Sequence, residues 1–166
     1  CSHVIHLAAK VSVPESCDDP LGYHRTNVYG TPVVLQAARE AGVRRAGLAS
    51  SCSVYGGSVG EDGVMRETDP LAPESPYAAS KAANEMDAIC FSRSLGLSCT
   101  ALRYFNVFGP GQDANGPYGA VIPKFVRAAL GGDDLGIHGD GEQGRDFVSV
   151  TDVVRANVVA SRASAA

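Results

Sequence analysis

The chain has no tryptophan, two methionines and only three lysines, Lys10, Lys81 and Lys124, in 166 residues. Its 14 basic side chains are outnumbered by 18 acidic ones, the net charge is −4, and there is no run of five or more basic residues. Those shortages exclude a non-specific electrostatic grip on nucleic acid or on an anionic membrane surface. No apolar run approaches the ~20 residues that cross a bilayer, so no membrane partner is expected. The first residues carry none of the charged segment, apolar core and cleavage site of a signal peptide. Five cysteines (Cys1, Cys17, Cys52, Cys90 and Cys99) form no CxxC pair. An odd, scattered set fits neither a disulfide framework nor a zinc ribbon, and a reduced, cytoplasmic setting is expected.

What is present is globular: 45% hydrophobic residues, 19% charged, 19 glycines and nine prolines. Val4, Ile5 and Leu7 read as a short buried strand, followed by a loop in which Pro14 and Pro20 forbid an uninterrupted helix. A helix is expected over Thr26–Ala41, ending at Gly42, then a strand over Arg45–Ser51 and a surface loop over 56–76. Tyr77–Leu95 reads as a long helix closed by Gly96, and Ser98–Val107, rich in β-branched and aromatic residues, as a strand. After a turn-rich loop come a helix over Ala120–Leu130, short strands over Leu135–His138 and Asp146–Val150, and a helix over Thr151–Ala163 capped by Thr151. Alternating strands and helices predict an α/β fold, a doubly wound parallel sheet.

In such sheets ligands meet the carboxyl ends of the strands, and those positions are polar here. The strand over Arg45–Ser51 ends in Ser50 and Ser51, with Ser53 just beyond, and the next ends in Tyr104, Phe105 and Asn106. Tyr77 and Lys81 stand four apart near a helix start, hence on one face. A phenol titrates near pH 10, and a neighbouring ammonium favours its phenolate, giving an acid/base usable near neutral pH. The same spacing also suits a packed tyrosine beside a solvated lysine. His3 and His6 lack a third ligand and read as structural, so no metal is assigned. Cys52 has no histidine near it in sequence and reads as a small packing residue.

The segments around this pair narrow the choice. Ala49–Gly56 (ASSCSVYG), Ser75–Lys81 (SPYAASK) and Leu102–Pro110 (LRYFNVFGP), with VIHLAA at Val4–Ala9, TNVYGT at Thr26–Thr31, GDGE at Gly139–Glu142 and RDF at Arg145–Phe147, resemble the extended short-chain dehydrogenase/reductase family of NAD-dependent epimerases and dehydratases. The likeness runs along nearly the whole chain and is greatest to the nucleotide-sugar 4-epimerases. It implies a Rossmann-like fold, NAD as cofactor, a UDP-sugar as substrate and a homodimer. It makes Ser51, Tyr77 and Lys81 the catalytic set. Leu7, Ala8, Ala9, Asn27, Ser50, Tyr104 and Phe105, with Tyr77 and Lys81, become cofactor contacts. Ser53, Asn106, Ala120, Val121, His138 and Arg145, with Ser51 and Tyr77, become substrate contacts, the guanidinium suiting a diphosphate. Ala8 and Ala9 also read as close-packing residues, and Arg145 as a surface ion pair.

Family dehydratases carry Asp-Glu, and decarboxylases a Glu, in the two places that Cys52 and Ser53 fill here. An acid is needed there to eliminate water, so the resemblance favours 4-epimerisation of UDP-glucose or a UDP-N-acetylhexosamine through a 4-keto sugar. The alternatives are another nucleotide-sugar dehydratase or reductase of the family, or a non-catalytic fragment. The last stays open because the Gly-rich pyrophosphate turn and the ribose-binding acid are absent from these residues. Residues 1–108 are expected to be the second half of the cofactor domain, and 109–166 part of the substrate-binding region mixed with the last elements of the cofactor fold.

Overall fold

The computed structural model describes residues 1–57, 62–114, 121–137 and 139–163. Residues Cys1–Tyr104 with Ala156–Ala166 form one compact unit, and Phe105–Arg155 form a second.

The first unit is built on three parallel strands, β1 (His3–His6), β2 (Arg45–Ser51) and β3 (Ser98–Tyr104), in that order across the sheet. The register pairs His6 with Leu48 and Ser51 with Tyr104, so all three strands end at one edge. Parallel neighbours need crossover connections, and helices α3 (Gly30–Glu40) and α4 (Pro76–Ser94) provide them. Along β2, Ala46, Leu48 and Ser50 are buried while the alternate residues are half-buried. Ala46 and Leu48 meet Leu35 and Ala38 of α3 and Ala88 and Phe91 of α4, and with Val43 and Leu97 they form the core. Leu35 and Leu48, at 0% and 2% exposure, each contribute about 2 kcal/mol of apolar burial.

Helix ends follow local chemistry. The Ser75 hydroxyl accepts from the Ala78 N–H (3.1 Å), and Pro76 at the first position loses no hydrogen bond there. Gly42 and Gly96, at φ 69° and 76°, take the left-handed conformation that ends α3 and α4. The buried stripe of α4 changes character along its length: Ser80, Lys81, Asn84 and Glu85 are polar, Ala88 and Phe91 apolar. Its second half holds the core and its first half faces the strand ends.

Several expectations are corrected. The segment after β1 is not only loop: it holds α1 (Val13–Asp18) and α2 (Pro20–Tyr23), each with a proline at its start, where the missing N–H is harmless. The helix expected over Thr26–Ala41 is two pieces, a π-helical turn over His24–Tyr29 and then α3. The strand expected over Ser98–Val107 breaks at Phe105: β4 (Asn106–Phe108) leaves β3 to pair in parallel with β5 (Phe147–Ser149) in the second unit. Residues 135–137 form no strand. Helix α5 spans Val121–Gly131, and α6 (Val150–Arg162) is capped by the Ser149 hydroxyl, which accepts from Thr151 N–H (3.2 Å), rather than by Thr151. Within the second unit, Phe108 and Phe147 pack edge to face at 6.4 Å.

Candidate active site

Tyr77 is the second residue of α4, half-buried, with its ring edge-on to Tyr23 at 6.4 Å and 89°. One turn on, Lys81 is 4% exposed. Its Nζ lies 5.9 Å from the Tyr77 ring centroid and donates to the Ala49 carbonyl of β2 (2.8 Å). Burial lowers the ammonium to about 8, so it is still largely charged at pH 7. That excludes the solvated-lysine reading. Burial first, and the Lys81 charge second, hold the neighbouring His6 imidazole below its ordinary value.

Ser51 ends β2 and begins a 3-10 turn, Cys52–Tyr55, that packs on α4. Its Oγ accepts from the Ser53 backbone N–H (3.2 Å) and from the Ser53 hydroxyl (2.9 Å). A hydroxyl has two acceptor sites and one donor. With both acceptor sites engaged, the Ser51 O–H is left to donate, as a hydroxyl that steadies a reacting oxygen must. Half-buried Cys52 sits in the same turn, and none of the five cysteines is joined in a disulfide.

Behind the Tyr77–Lys81 pair lies a buried polar cluster. The Asn27 side chain, 1% exposed and carried by the π-helical turn, accepts from Lys10 N–H (2.9 Å) and donates to Lys10 C=O (2.8 Å) and Ser80 Oγ (3.0 Å). Ser80 donates to the Tyr77 carbonyl (2.7 Å), tying the cluster to the first turn of α4. Asn84, with its amide turned so that NH₂ meets acceptors, donates to the Ser80 and Asn27 carbonyls and accepts from Thr31, whose hydroxyl lies 3.3 Å from His6 Nε2. π-Helical turns often mark functional sites, and this one aims Asn27 inward.

Leu7 and Ala8 are exposed and Ala9 half-buried just past the end of β1. Ser50, 4% exposed, commits its hydroxyl to Glu85. Tyr104 exchanges hydrogen bonds with Asn157 (2.9 and 2.7 Å), and burial raises its phenol. The structure thus gathers Ser51, Ser53, Tyr77, Lys81, Asn27 and Ser50 in the first unit.

Phe105, Asn106, Val121 and Arg145 belong to the second unit. There Asn106, Val121 and Arg145 line a cavity of about 710 Å³ whose walls include Phe108, Phe125, Phe147 and Ile137. Apolar walls with a few polar groups suit a flat ring carrying polar substituents. The Asn106 amide N–H₂ donates to the Asp146 carbonyl (2.9 Å), and Phe105 is half-buried. Ala120 and His138 lie outside the described residues. Among the described residues no cluster of three or more His, Cys, Asp or Glu could hold a metal ion, and no helix is long and apolar enough to cross a membrane.

Sequence reasoning passed over Tyr23, Thr31, Ser80, Asn84, Glu85 and Arg103. One signal was available: Ser80, Lys81, Asn84 and Glu85 recur at helical spacing, a polar stripe on the face that carries Tyr77.

The model of the "NAD dependent epimerase/dehydratase family" matches residues 1–166. The UDP-glucose 4-epimerase of Mycolicibacterium smegmatis is 42% identical over 156 residues, 93% of this chain and 49% of that protein. The UDP-N-acetyl-alpha-D-glucosaminuronate decarboxylase of Bacillus cytotoxicus is 39% identical over 163 residues, 95% of this chain and 49% of that one. dTDP-glucose 4,6-dehydratases of Streptomyces match as well. Among solved structures, the UDP-N-acetylglucosamine 4-epimerase of Methanobrevibacter ruminantium, in complex with UDP-N-acetylmuramic acid, superposes with TM-score 0.93 at 42% identity, over 99% of this chain and 52% of that one. The Thermus thermophilus UDP-glucose 4-epimerase complex with NAD superposes with TM-score 0.87 at 38% identity, over 98% and 54%. The chain spans about half the length of these relatives.

Proposed function

Because the chain belongs to the NAD dependent epimerase/dehydratase family, we propose that the complete gene product is a nucleotide-sugar 4-epimerase that uses NAD and takes a UDP-hexose, plain or N-acetylated. The observation that carries this reading is the Ser51–Tyr77–Lys81 arrangement, with Cys52 and Ser53 where an eliminating enzyme needs a carboxylic acid.

The residues present fit the cofactor. Lys81 spends one of its three N–H bonds on the Ala49 carbonyl, leaving donors for ribose hydroxyls, and the small Ala8 and Ala9 at the end of β1 let a cofactor approach closely. Bound NAD supplies a hydride acceptor for the sugar C4 carbon and, later, the donor. Tyr77 Oη takes the proton of the C4 hydroxyl as the C–H bond breaks, and the sugar becomes a 4-ketone. Ser51 donates its O–H to the C4 oxygen. Lys81 stabilises the phenolate and so favours proton removal. After the ketone turns over, Tyr77 returns the proton to the C4 oxygen of the epimer. Ser50, Asn27, Tyr104 and Phe105 complete the proposed cofactor surroundings, Asn27 by holding Lys10 and Ser80 in place.

In the second unit, the apolar cavity with Asn106, Val121 and Arg145 is the proposed seat of the nucleotide, its base against Phe and Ile side chains and its diphosphate on Arg145. Ala120 and His138 belong to the same proposal. Met86 and Ile89, exposed on α4, are available to a second copy in a homodimer. Five cysteines outside any disulfide accord with a cytoplasmic setting.

The test is incubation of the complete gene product with UDP-glucose and with UDP-N-acetylglucosamine. A 4-epimer is expected, with no net change in NAD. A dehydrated or reduced product would move the protein to the family's dehydratases or reductases, and no turnover at all would leave a binding module. Tyr77→Phe should lower turnover by about 10² to 10⁴-fold at nearly unchanged KM. An active Tyr77→Phe variant would remove Tyr77 from the mechanism.

A further inference from the structure

Glu85 and Arg103 form an ion pair of low exposure that the proposed chemistry does not use. Glu85 is 6% exposed, one turn beyond Lys81 on the buried stripe of α4, and Arg103 is the penultimate residue of β3. The pairing is bidentate, Arg103 Nε to Glu85 Oε1 (2.9 Å) and Nη2 to Oε2 (2.8 Å). Such a pair is weak evidence of stability, because desolvation offsets most of its attraction; an apolar pair of similar volume is often as stable. Its hydrogen-bond partners point to geometry instead.

The further partners of the pair bracket one residue. Glu85 Oε1 also accepts from the Ser50 hydroxyl, immediately before Ser51. Arg103 Nη1 donates to the Tyr55 hydroxyl (2.9 Å), and its guanidinium lies 4.7 Å from the Tyr55 ring centroid, at the end of the 3-10 turn that begins after Ser51. The same nitrogen reaches the Glu67 carbonyl (3.3 Å) in the loop beyond. Ser51 is therefore pinned on both sides, through Ser50 and Tyr55, to a carboxylate on the helix that carries Tyr77 and Lys81. The Lys81–Ala49 bond adds a third tie one turn closer to the helix start.

We propose that the Glu85–Arg103 pair is a positioning unit for the reaction: it sets Ser51, on β2 and its turn, against Tyr77, on α4, without touching substrate. Tyr77 and Lys81 share one helix and keep their spacing whatever happens to the pair. Ser51 stands on a different element, and its alignment depends on how α4 sits against β2. This inference rests on the acid/base reading of Tyr77 given above.

The experiment measures kcat and KM of the complete gene product for whichever UDP-hexose it converts, in Glu85→Gln, Ser51→Ala and the double variant. A misplacement of about 1 Å at a reacting group lowers rate by about a hundredfold, so Glu85→Gln should lower kcat tenfold to a hundredfold with KM within about twofold. In the Ser51→Ala background the same change should cost less than about twofold, because residues that act as a unit are not additive. A purely structural role lowers the active fraction equally in both backgrounds, and that result overturns the proposal. So does a Glu85→Gln variant within twofold of the parent while Tyr77→Phe is inactive. An active Tyr77→Phe variant instead sinks the reading on which the proposal rests. Should Glu85→Gln fail to fold, Tyr55→Phe removes the hydrogen bond that Arg103 makes on the other side of Ser51. It should lower kcat in the parent and not in the Ser51→Ala background; equal effects in both, or none in the parent, overturn the proposal.

Discussion

Replacing Lys81 by Met separates what the lysine does for chemistry from what it does to the fold. Burial depresses the ammonium from 10.5 to about 8. At ~1.4 kcal/mol per tenfold change in proton affinity, that depression costs the folded state about 3 kcal/mol wherever Lys81 is charged. The folded value lies below the unfolded one, so the penalty is complete below pH 8, fades from 8 to 10.5 and is absent above. Met of similar length removes the penalty and also removes the bond to the Ala49 carbonyl, worth about 1.5–3 kcal/mol when the donor is charged. At pH 7 the variant should therefore equal or exceed the parent in stability by up to about 2 kcal/mol, while turnover falls by about 10² or more. Between pH 8 and 10.5 its relative stability should decline by about 3 kcal/mol, because only the parent sheds a buried charge there. Urea unfolding of the NAD-free complete gene product, followed by circular dichroism at several pH values, measures the difference, and other titrating groups cancel between the two proteins. A difference flat to within about 1 kcal/mol across that window would refute a buried, charged Lys81.

Two further substitutions probe the support around the site. Asn27→Ala leaves both backbone groups of half-buried Lys10 and the hydroxyl of buried Ser80 without their shared partner, and should cost about 1–3 kcal/mol in urea unfolding; a loss under 1 kcal/mol would mean that water replaces the amide. Gly56 ends the Ser51 turn at φ 62°, and a Cβ there would fall 2.0 Å from the Ala72 carbonyl oxygen. Gly56→Ala should thus lower stability by more than about 2 kcal/mol and kcat with it, since the turn that holds Ser51 must shift; an unaffected variant would show that the turn moves freely.

Much of the first unit can be read directly from local pattern. The strand at Arg45–Ser51 has the expected bounds, because a short apolar run between Gly42 and the serine cluster has few alternatives. Helix α4 begins and ends where Ser75, Pro76 and Gly96 dictate. Tyr77 and Lys81 are legible for the same reason, since helical spacing alone puts them on one face. Other features depend on partners distant in sequence. Nothing in HRTNVY distinguishes a π-helical turn from an α-helix, and the structure has one where Asn27 reaches Lys10 and Ser80. The break at Phe105 is equally hidden, because Ser98–Val107 reads as one strand. It is decided by the Asn106 backbone and side chain both donating to the Asp146 carbonyl, 40 residues away.

Sequence by itself determined the broad alternation of strands and helices, the ends of α4 and the Tyr77–Lys81 spacing, all of which rest on interactions within a few residues. Only tertiary structure decided that Lys81 is buried, that Ser50 donates to Glu85, and that Glu85 meets Arg103. Each of those depends on desolvation or on a hydrogen bond between separate elements, and neither exists until the strands and helices have packed.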